Sequence, residues 1–292
     1  MFNFLQITLS GCATGAIYAL AALGFTQLWQ ASGTINFAQG EFVMVPAFIT
    51  LFFFSYLELP LWLAVILACG FSMLLFGVLF KKLVVDPLRR HGVIPLVIAT
   101  LGLSIGLKQV VKAGYSAQAK PFPSAFPDGL LALGDLKVSY ADIGTLAIAA
   151  LIVIALQLFL NRTITGRAMQ AVAQNTDAAK ILGIDVRRMV LYTFLINAVL
   201  ATIAALLVTP TYLAKFDMGD SIGQKAFYAA IIGGFNQTRG ALVGGLLVGV
   251  LENLMGAYVS PAYKEGVALV VFLVVILFRP EGLLGKAEER KV

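Results

Sequence analysis

The chain has 292 residues, of which 60% are hydrophobic and 12% are charged. The charged fraction is about half of that in an ordinary soluble domain, so a soluble fold would leave too much apolar surface in water. The net charge of +6 comes from residues between apolar segments. Because it does not come from one basic face with aromatic or glycine-rich motifs, nucleic-acid binding is disfavoured. This composition predicts an integral membrane protein.

Long segments of the chain are apolar on every side, as between Leu146 and Leu156. Backbone groups in hydrocarbon find no water, so a spanning segment must be a helix or part of a closed barrel. These segments show neither the alternation of a barrel strand nor the single apolar stripe of a soluble helix. The sequence predicts an all-α polytopic transmembrane helical bundle of about eight to nine spans, with residues 1–292 forming one membrane domain.

Nine apolar segments are candidate spans, and most approach the roughly 20 residues that cross a bilayer core. In chain order they are Leu5 to Trp29, Ile35 to Tyr56, Leu61 to Phe80, Val93 to Val111, Ala141 to Leu160, Met189 to Pro210, Gly223 to Phe235, Ala241 to Val259 and Gly266 to Phe278. The seventh and ninth are short, which suggests a broken or re-entrant helix for one of them.

Basic residues set the expected orientation. If the N-terminus lies outside, alternation of nine spans places every arginine on the cytoplasmic side, in four regions: Lys81 to His91, Arg162 to Arg188, the turn at Arg239 and the tail from Arg279. An excess of Lys and Arg in cytoplasmic loops is the usual pattern of membrane proteins. We therefore expect an outside N-terminus and a cytoplasmic C-terminus.

Glycines recur at four-residue spacing, a pattern that lets helix backbones approach closely in lipid. The pairs are Gly11 and Gly15, Gly102 and Gly106, Gly240 and Gly244, and Gly245 and Gly249. They predict tight helix packing, which we favour over a role as flexible points in a moving pathway.

The outer loop, at about 112–140, contains Pro121, Pro123 and Pro127. Proline fixes the backbone angle φ and removes a hydrogen-bond donor, so this loop is expected to be extended or rich in turns. A solvated connector is the favoured interpretation, and a surface for a soluble partner is the alternative.

The cytoplasmic loop, at about 161–188, is a long polar connector between two apolar spans. Polar side chains at 174–177 are able to cap a short helix from Ala178 to Leu182, and Gly183 is able to end it. Its apolar residues Ala178, Ile181 and Leu182 would be costly to leave in water, so a groove on another protein is one destination. Because basic residues flank the helix, resting on lipid headgroups is the other.

Two groups of polar residues fall in apolar segments. Asn36, Gln39 and Glu41 lie near the cytoplasmic start of the second span, where they either line an inner gate, or cap a helix or brace a break in the first helical pair. Glu252 and Asn253 lie inside the eighth span, where an exposed ionisable group costs at least ~2.5 kcal/mol. A proton or substrate site and an interhelical hydrogen bond are the two interpretations. No partner charge for Glu252 is evident from the sequence.

Several motifs together resemble the permeases of branched-chain amino acid ABC importers. Asp177-Ala178-Ala179-x-x-x-Gly183 is similar to the Glu-Ala-Ala-x-x-x-Gly loop of ABC importer permeases, with Asp in place of Glu and without the later Ile-x-Leu-Pro. The other motifs are Gly15-Ala16-Ile17-Tyr18-Ala19-Leu20, Ile35-Asn36-Phe37-Ala38-Gln39-Gly40, Lys225-Ala226-Phe227, Ile232-Gly233-Gly234, Gly240-Ala241 and Arg279-Pro280-Glu281-Gly282-Leu283. The resemblance is greatest to the shorter of the two paired permeases.

This resemblance implies a passage for branched-chain or other neutral amino acids through a bacterial inner membrane. It implies as partners two ATPase subunits, a second, homologous permease and a periplasmic substrate-binding protein. It also implies an ATPase-coupling role for Asp177, Ala178, Ala179, Ile181, Leu182 and Gly183.

The sequence contains no Gly-x-x-x-x-Gly-Lys-Ser/Thr loop to cradle nucleotide phosphates. We therefore expect a transport subunit that is not an enzyme, holds no cofactor or metal, and relies on partner subunits to bind ATP and Mg²⁺. His91 is the only histidine, and no catalytic set of residues surrounds it in the sequence.

Two alternatives remain. One is an ion-coupled secondary transporter in which Glu41 and Glu252 carry protons, although a proton carrier usually has more intramembrane acids. The other is an ABC permease for a different small polar solute, such as urea or an amide.

Overall fold

The computed structural model of the protein describes residues 2–33, 35–88, 91–127, 129–133, 136–235 and 237–285. In chain order the elements are α1 (Phe2–Ser32), α2 (Gln39–Tyr56), α3 (Leu61–Leu88), α4 (Val93–Tyr115), β1 (Leu130–Leu133), β2 (Leu136–Ser139), α5 (Tyr140–Arg162), α6 (Ile164–Gln174), α7 (Thr176–Ile181), α8 (Val186–Tyr212), α9 (Met218–Gly233), α10 (Thr238–Tyr258) and α11 (Gly266–Phe278). The end of α2 and much of the second half of α3 are wound as π-helix.

Seven of these helices are long and apolar enough to cross a membrane: α1, α2, α3, α4, α5, α8 and α10. The predicted all-α polytopic bundle is therefore confirmed. The two segments predicted to be short form α9, with 16 residues, and α11, with 13 residues. At 1.5 Å per residue α11 is only about 20 Å long, which is less than the roughly 30 Å hydrocarbon core.

The outer loop contains a small hairpin that the sequence did not predict. Strands β1 and β2 pair antiparallel, with Leu130 opposite Ser139 and Leu131 opposite Val138. Earlier in the loop, Lys120 and Ala214 exchange backbone hydrogen bonds of 2.9 Å, which ties the loop to the chain just after α8. The expected proline-rich stretch before residue 128 is otherwise irregular. These bonds satisfy backbone groups that an extended loop would leave to water.

The chain divides into two compact units. Unit 1 contains Met1–Thr26, Phe126–Ala150 and Lys225–Val292, and unit 2 contains Gln27–Ala125 and Leu151–Gln224. Each unit is therefore assembled from segments that are distant in the sequence.

Unit 1 is held together by the close approach of α1 and α10. A Cβ atom on Gly15 would lie 2.7 Å from the carbonyl oxygen of Gly245, and one on Gly11 would lie 2.8 Å from Cα of Val250. Both neighbours are backbone atoms, which cannot rotate away. The predicted packing role is confirmed for Gly11 and Gly15, and for Gly245 on the facing helix.

Unit 2 packs α2 against α3, α4 and α8. Phe42 stacks on Phe76 with ring centroids 4.0 Å apart and meets Phe80 edge-on at 5.1 Å. By contrast, a Cβ atom on Gly102 or Gly106 of α4 would meet nothing within 4 Å. The expectation that this glycine pair packs tightly is wrong within the described residues, because the face of α4 that carries the pair has no close neighbour.

Replacement of Gly15 by alanine is expected to destabilise the protein by about 1–3 kcal/mol, because the added methyl group meets fixed backbone. Gly106→Ala adds the same methyl group where nothing lies within 4 Å, so it serves as the matched control and should leave stability unchanged or slightly raised. Melting of the detergent-solubilised variants, followed by size-exclusion chromatography after heating, measures both. Equal melting temperatures for the two variants would contradict the packing account.

Candidate functional site

The segment after α5, predicted to be cytoplasmic, folds into the two helices α6 and α7. The Asn175 side chain caps α7 by accepting hydrogen bonds from the backbone N–H groups of Asp177 and Ala178, at 3.0 and 2.9 Å. Gly183 has φ of +78°, a left-handed conformation that suits glycine and ends the helix. The short helix predicted in this loop is therefore present, although it begins at Thr176 and not at Ala178.

One side of α7 is exposed. Ile181 is 86% exposed and Leu182 is 77% exposed, and Ala178 is exposed beside them. Ala179, which the sequence motif grouped with them, is instead buried at 1% exposure, where α7 packs on α6 and α8. The structure thus separates the motif into a residue that anchors α7 to its own chain and residues that face outward.

Charged residues border this bare surface. Lys180 pairs with Asp177 at 2.9 Å on α7, and Arg188 pairs with Asp185 at 3.0 Å at the start of α8. These exposed pairs contribute little to stability. They leave the apolar tip formed by Ile181 and Leu182 uncovered by this chain.

A second polar group lies inside unit 2, at the start of α2. Gln39 donates to the Asn197 side-chain oxygen at 2.7 Å, and Asn197 donates back to Gln39 at 3.0 Å. Both residues are buried. Sequence reasoning missed Asn197, although an asparagine inside an apolar span is a signal of an interhelical hydrogen bond.

The start of α2 lies beside the middle of its neighbours. Asn197 is the twelfth of the 27 residues of α8, and Ser104, which lies beside the Glu41 carboxyl group, is the twelfth of the 23 residues of α4. We expected Asn36, Gln39 and Glu41 near the start of the second span. Gln39 and Glu41 lie in the first turn of α2 and Asn36 lies just before it, and this start is level with the middle of α4 and α8. Part of the cause is Gly40, whose missing side chain lets α2 begin directly against the backbone of Gly219.

Glu41 is 1% exposed. Its atom Oε1 is buried without a hydrogen-bond partner among the described residues, and so is the side-chain nitrogen Nδ2 of Asn36. The side-chain oxygen of Asn36 accepts a bond from the backbone N–H of Ala38 at 3.0 Å, which shapes the turn before α2. Nearby, Lys108 pairs with Asp220 at 2.8 Å.

Unit 1 contains a buried ion pair that sequence reasoning did not find. Lys225 of α9 donates to Glu252 of α10 at 2.9 Å and contacts the Tyr18 hydroxyl at 3.3 Å, while Lys264 lies 3.9 Å from the same carboxylate oxygen. Lys225 is the only charged residue between positions 221 and 238. A lone cation in an apolar span was the available signal, because such a charge needs a partner.

Asn253, the neighbour of Glu252, joins two helices of unit 1. Its side-chain amide donates to the Thr14 hydroxyl at 3.2 Å and to the carbonyl of Gly249 at 3.0 Å. This geometry favours the interhelical contact over a solute site for Asn253. Asn253 also lines a cleft of about 600 Å³, together with Asn3, Gln6, Ser10 and Lys264.

No group of three or more His, Cys, Asp or Glu side chains able to hold a metal ion occurs in the part of the chain that the structure describes.

Comparison with known proteins agrees with this geometry. The family model described as branched-chain amino acid transport system, permease component, matches residues 7–276. The high-affinity branched-chain amino acid transport permease BraD of Pseudomonas aeruginosa is 32% identical over 305 residues, which cover 100% of this chain and 99% of that protein. LivH of Escherichia coli is 32% identical over 304 residues, covering 99% of this chain and 98% of that protein.

A solved structure, PsaBC from Streptococcus pneumoniae in complex with Fab, contains a chain of similar fold. The TM-score is 0.50 at 16% sequence identity, with 96% of this chain and 94% of that chain covered. At this identity the likeness concerns the fold alone. The family match and the full-length relatives carry the assignment: this multi-pass membrane protein belongs to the family of permease components of branched-chain amino acid transport systems.

Proposed function

We propose that this chain forms the passage through which an ABC importer moves branched-chain or other neutral amino acids into the cell. The observation that carries the proposal is the 32% identity to BraD and LivH across essentially the whole of all three chains. An importer subunit of this kind provides a passage for a solute and does not catalyse a reaction.

The energy for uptake would come from partner subunits. The sequence has no loop for nucleotide phosphates, so two separate ATPase subunits would bind ATP and Mg²⁺. A second, homologous permease would complete the passage, and a periplasmic binding protein would deliver the solute. Support for an ATPase partner comes from α7, where Ile181 and Leu182 are exposed beside a helix that is otherwise well capped.

Coupling would run through α7. Burial of two large aliphatic side chains is worth about 3–6 kcal/mol at most, and an ATPase groove that fits them in only one of its states would favour the matching state of the permease. Because Ala179 is buried against this chain, a displacement of α7 would be passed to α6 and α8, on which it packs.

An ion-coupled secondary transporter is less well supported. It would need Glu252 to gain and lose a proton, yet this carboxylate is paired with Lys225 at 2.9 Å and has Lys264 at 3.9 Å. A permease for urea or an amide is the remaining alternative, and uptake measurements distinguish it.

Vesicles that contain the chain with its partner permease and ATPase subunits should take up leucine only when ATP and the loaded binding protein are supplied. Uptake of radiolabelled leucine, with urea tested in parallel, measures this. Leucine uptake by the chain alone, driven by an ion gradient without ATP, would contradict the proposal. Uptake of urea but not of leucine would contradict the proposed solute.

Replacement of Ile181 by aspartate should uncouple ATP hydrolysis from uptake, because a charge would then occupy the apolar contact with the ATPase. We expect leucine uptake to fall by roughly tenfold or more, in line with the cost of a lost interface anchor. The fold should survive, since this side chain is 86% exposed.

Ile164→Asp is the matched control for this variant, because Ile164 is 82% exposed on the preceding helix. This control variant should take up leucine normally, and the ATPase subunits should co-purify with it in normal amounts. Normal leucine uptake by the Ile181→Asp variant in an assembled complex would rule out α7 as the coupling element. An equal loss of leucine uptake in both variants would indicate that the ATPase docks on a wider surface that also includes Ile164.

The orientation is testable by cysteine labelling after Cys12 and Cys69 have been replaced. Ala117→Cys, in the outer loop, should react in intact cells with a membrane-impermeant maleimide. Lys180→Cys, on α7, should react only after the membrane is opened. Both native residues are exposed, so accessibility to the protein surface is matched. Labelling of Lys180→Cys in intact cells would reverse the proposed orientation.

A further inference from the structure

Glu41 is a buried carboxylate whose hydrogen bonding is incomplete. It is 1% exposed in unit 2, the Ser104 side chain lies beside its carboxyl group, and Oε1 has no hydrogen-bond partner among the described residues. A buried polar atom without a hydrogen bond costs about 1–3 kcal/mol, and more when it is charged. A structural role alone does not explain why the protein retains a carboxylate here.

The charges that face Glu41 do not neutralise it. They belong to Lys108 and Asp220, which pair with each other through contacts of 2.8 and 3.1 Å. This pair carries no net charge, so the group of three has a net charge of −1 when Glu41 is ionised. The chemical complement of such a site is a cation that donates N–H hydrogen bonds.

The neighbouring polar groups fit a solute that has both a cationic and an anionic end. The side-chain nitrogen of Asn36 is buried and has no acceptor among the described residues, so it is able to donate a hydrogen bond to a solute. Asn36 lies five positions before Glu41, whose Oε1 is able to accept one. Gln39 already exchanges two hydrogen bonds with Asn197. The polar atoms that remain to bind a solute are therefore a carboxylate oxygen and an amide N–H.

The position of this group, beside the middle of α4 and α8, suits a passage. Glu41 is held beside Ser104 and Asn36 precedes it, while α2 begins here rather than at the end of its neighbours. Non-helical backbone inside a membrane domain is tolerated where protein surrounds it or where it lines a cavity. The turn before α2 is such a segment. It carries Asn36, and Glu41 follows in the first turn of the helix.

We propose that Glu41 is a substrate-specificity residue that receives the ammonium group of the amino acid during its passage through the membrane domain. This inference rests on the proposed function, since it names the part of the solute that the permease itself recognises. A solute without an ammonium group would leave the carboxylate as it is now, unpaired in a site of low polarity.

The test measures leucine binding to the assembled membrane complex in the absence of the binding protein, so that recognition by the permease is observed directly. Radiolabelled leucine is competed with leucinamide, which keeps the ammonium group but not the carboxylate, and with the α-hydroxy analogue of leucine, which lacks the ammonium group. For the wild type we expect leucinamide to compete and the hydroxy analogue to be weaker than leucine by roughly 10- to 100-fold.

In Glu41→Gln, leucine binding should weaken by a similar factor and the preference for the ammonium group should disappear. The melting temperature of the solute-free complex should not fall, because Oε1 of Glu41 makes no hydrogen bond among the described residues that the substitution could remove. That readout separates ligand binding from a structural brace, for which stability would drop. Glu58→Gln, at an exposed turn, is the matched control and should bind leucine as the wild type does.

Three results would overturn the inference: leucine binding to Glu41→Gln within twofold of the wild type, equal competition by leucine and its hydroxy analogue in the wild type, or leucine transport by a wild-type complex that shows no leucine binding of its own. Dependence of uptake on a pH gradient that is lost in Glu41→Gln while leucine binding persists would identify a proton as the ligand instead. Failure of the proposed function is a separate result, namely a wild-type complex that does not take up leucine.

Discussion

The absence of water from the hydrocarbon core is the constraint on which the rest of the structure depends. It requires each spanning segment to satisfy its own backbone, which makes the segments helical. It also requires buried polar side chains to find partners, as Gln39 finds Asn197 and Glu252 finds Lys225. Oε1 of Glu41 is one of six buried side-chain atoms without a hydrogen-bond partner among the described residues, and Nδ2 of Asn36, five positions earlier in the chain, is another.

Two kinds of polar contact result, and they serve different ends. The Asn253 amide and the Lys225–Glu252 pair connect helices within unit 1, where a broken pair would leave a charge buried alone. The turn before α2 in unit 2 instead concentrates groups with free hydrogen-bonding capacity. A permease needs both, since rigid helices must move as bodies while a solute passes polar atoms that are not already occupied.

The sequence was sufficient to predict what depends on local properties. Hydropathy located the spans, and the capping residues of the cytoplasmic loop located α7 within two residues. Long-range pairing was not predictable, because Gln39 and Asn197 are 158 positions apart. No pattern in either span indicates which residue of the other span it contacts. Glycine spacing had the same limit. It correctly predicted the close packing of α1 and α10, but the prediction failed for Gly102 and Gly106 of α4. The spacing of glycines describes one face of a helix and does not show whether another helix covers that face.

The capped start of α7 and its glycine end have a consequence for assembly. Asn175 holds the first turn and Gly183 closes the last, so the helix is complete before any partner arrives. Ordering a flexible segment on binding would consume part of the affinity, and a preorganised element avoids that loss. The ATPase subunit that we propose as the partner of α7 would therefore bind without any refolding of the permease, and Ile181 and Leu182 would set most of the strength of that contact.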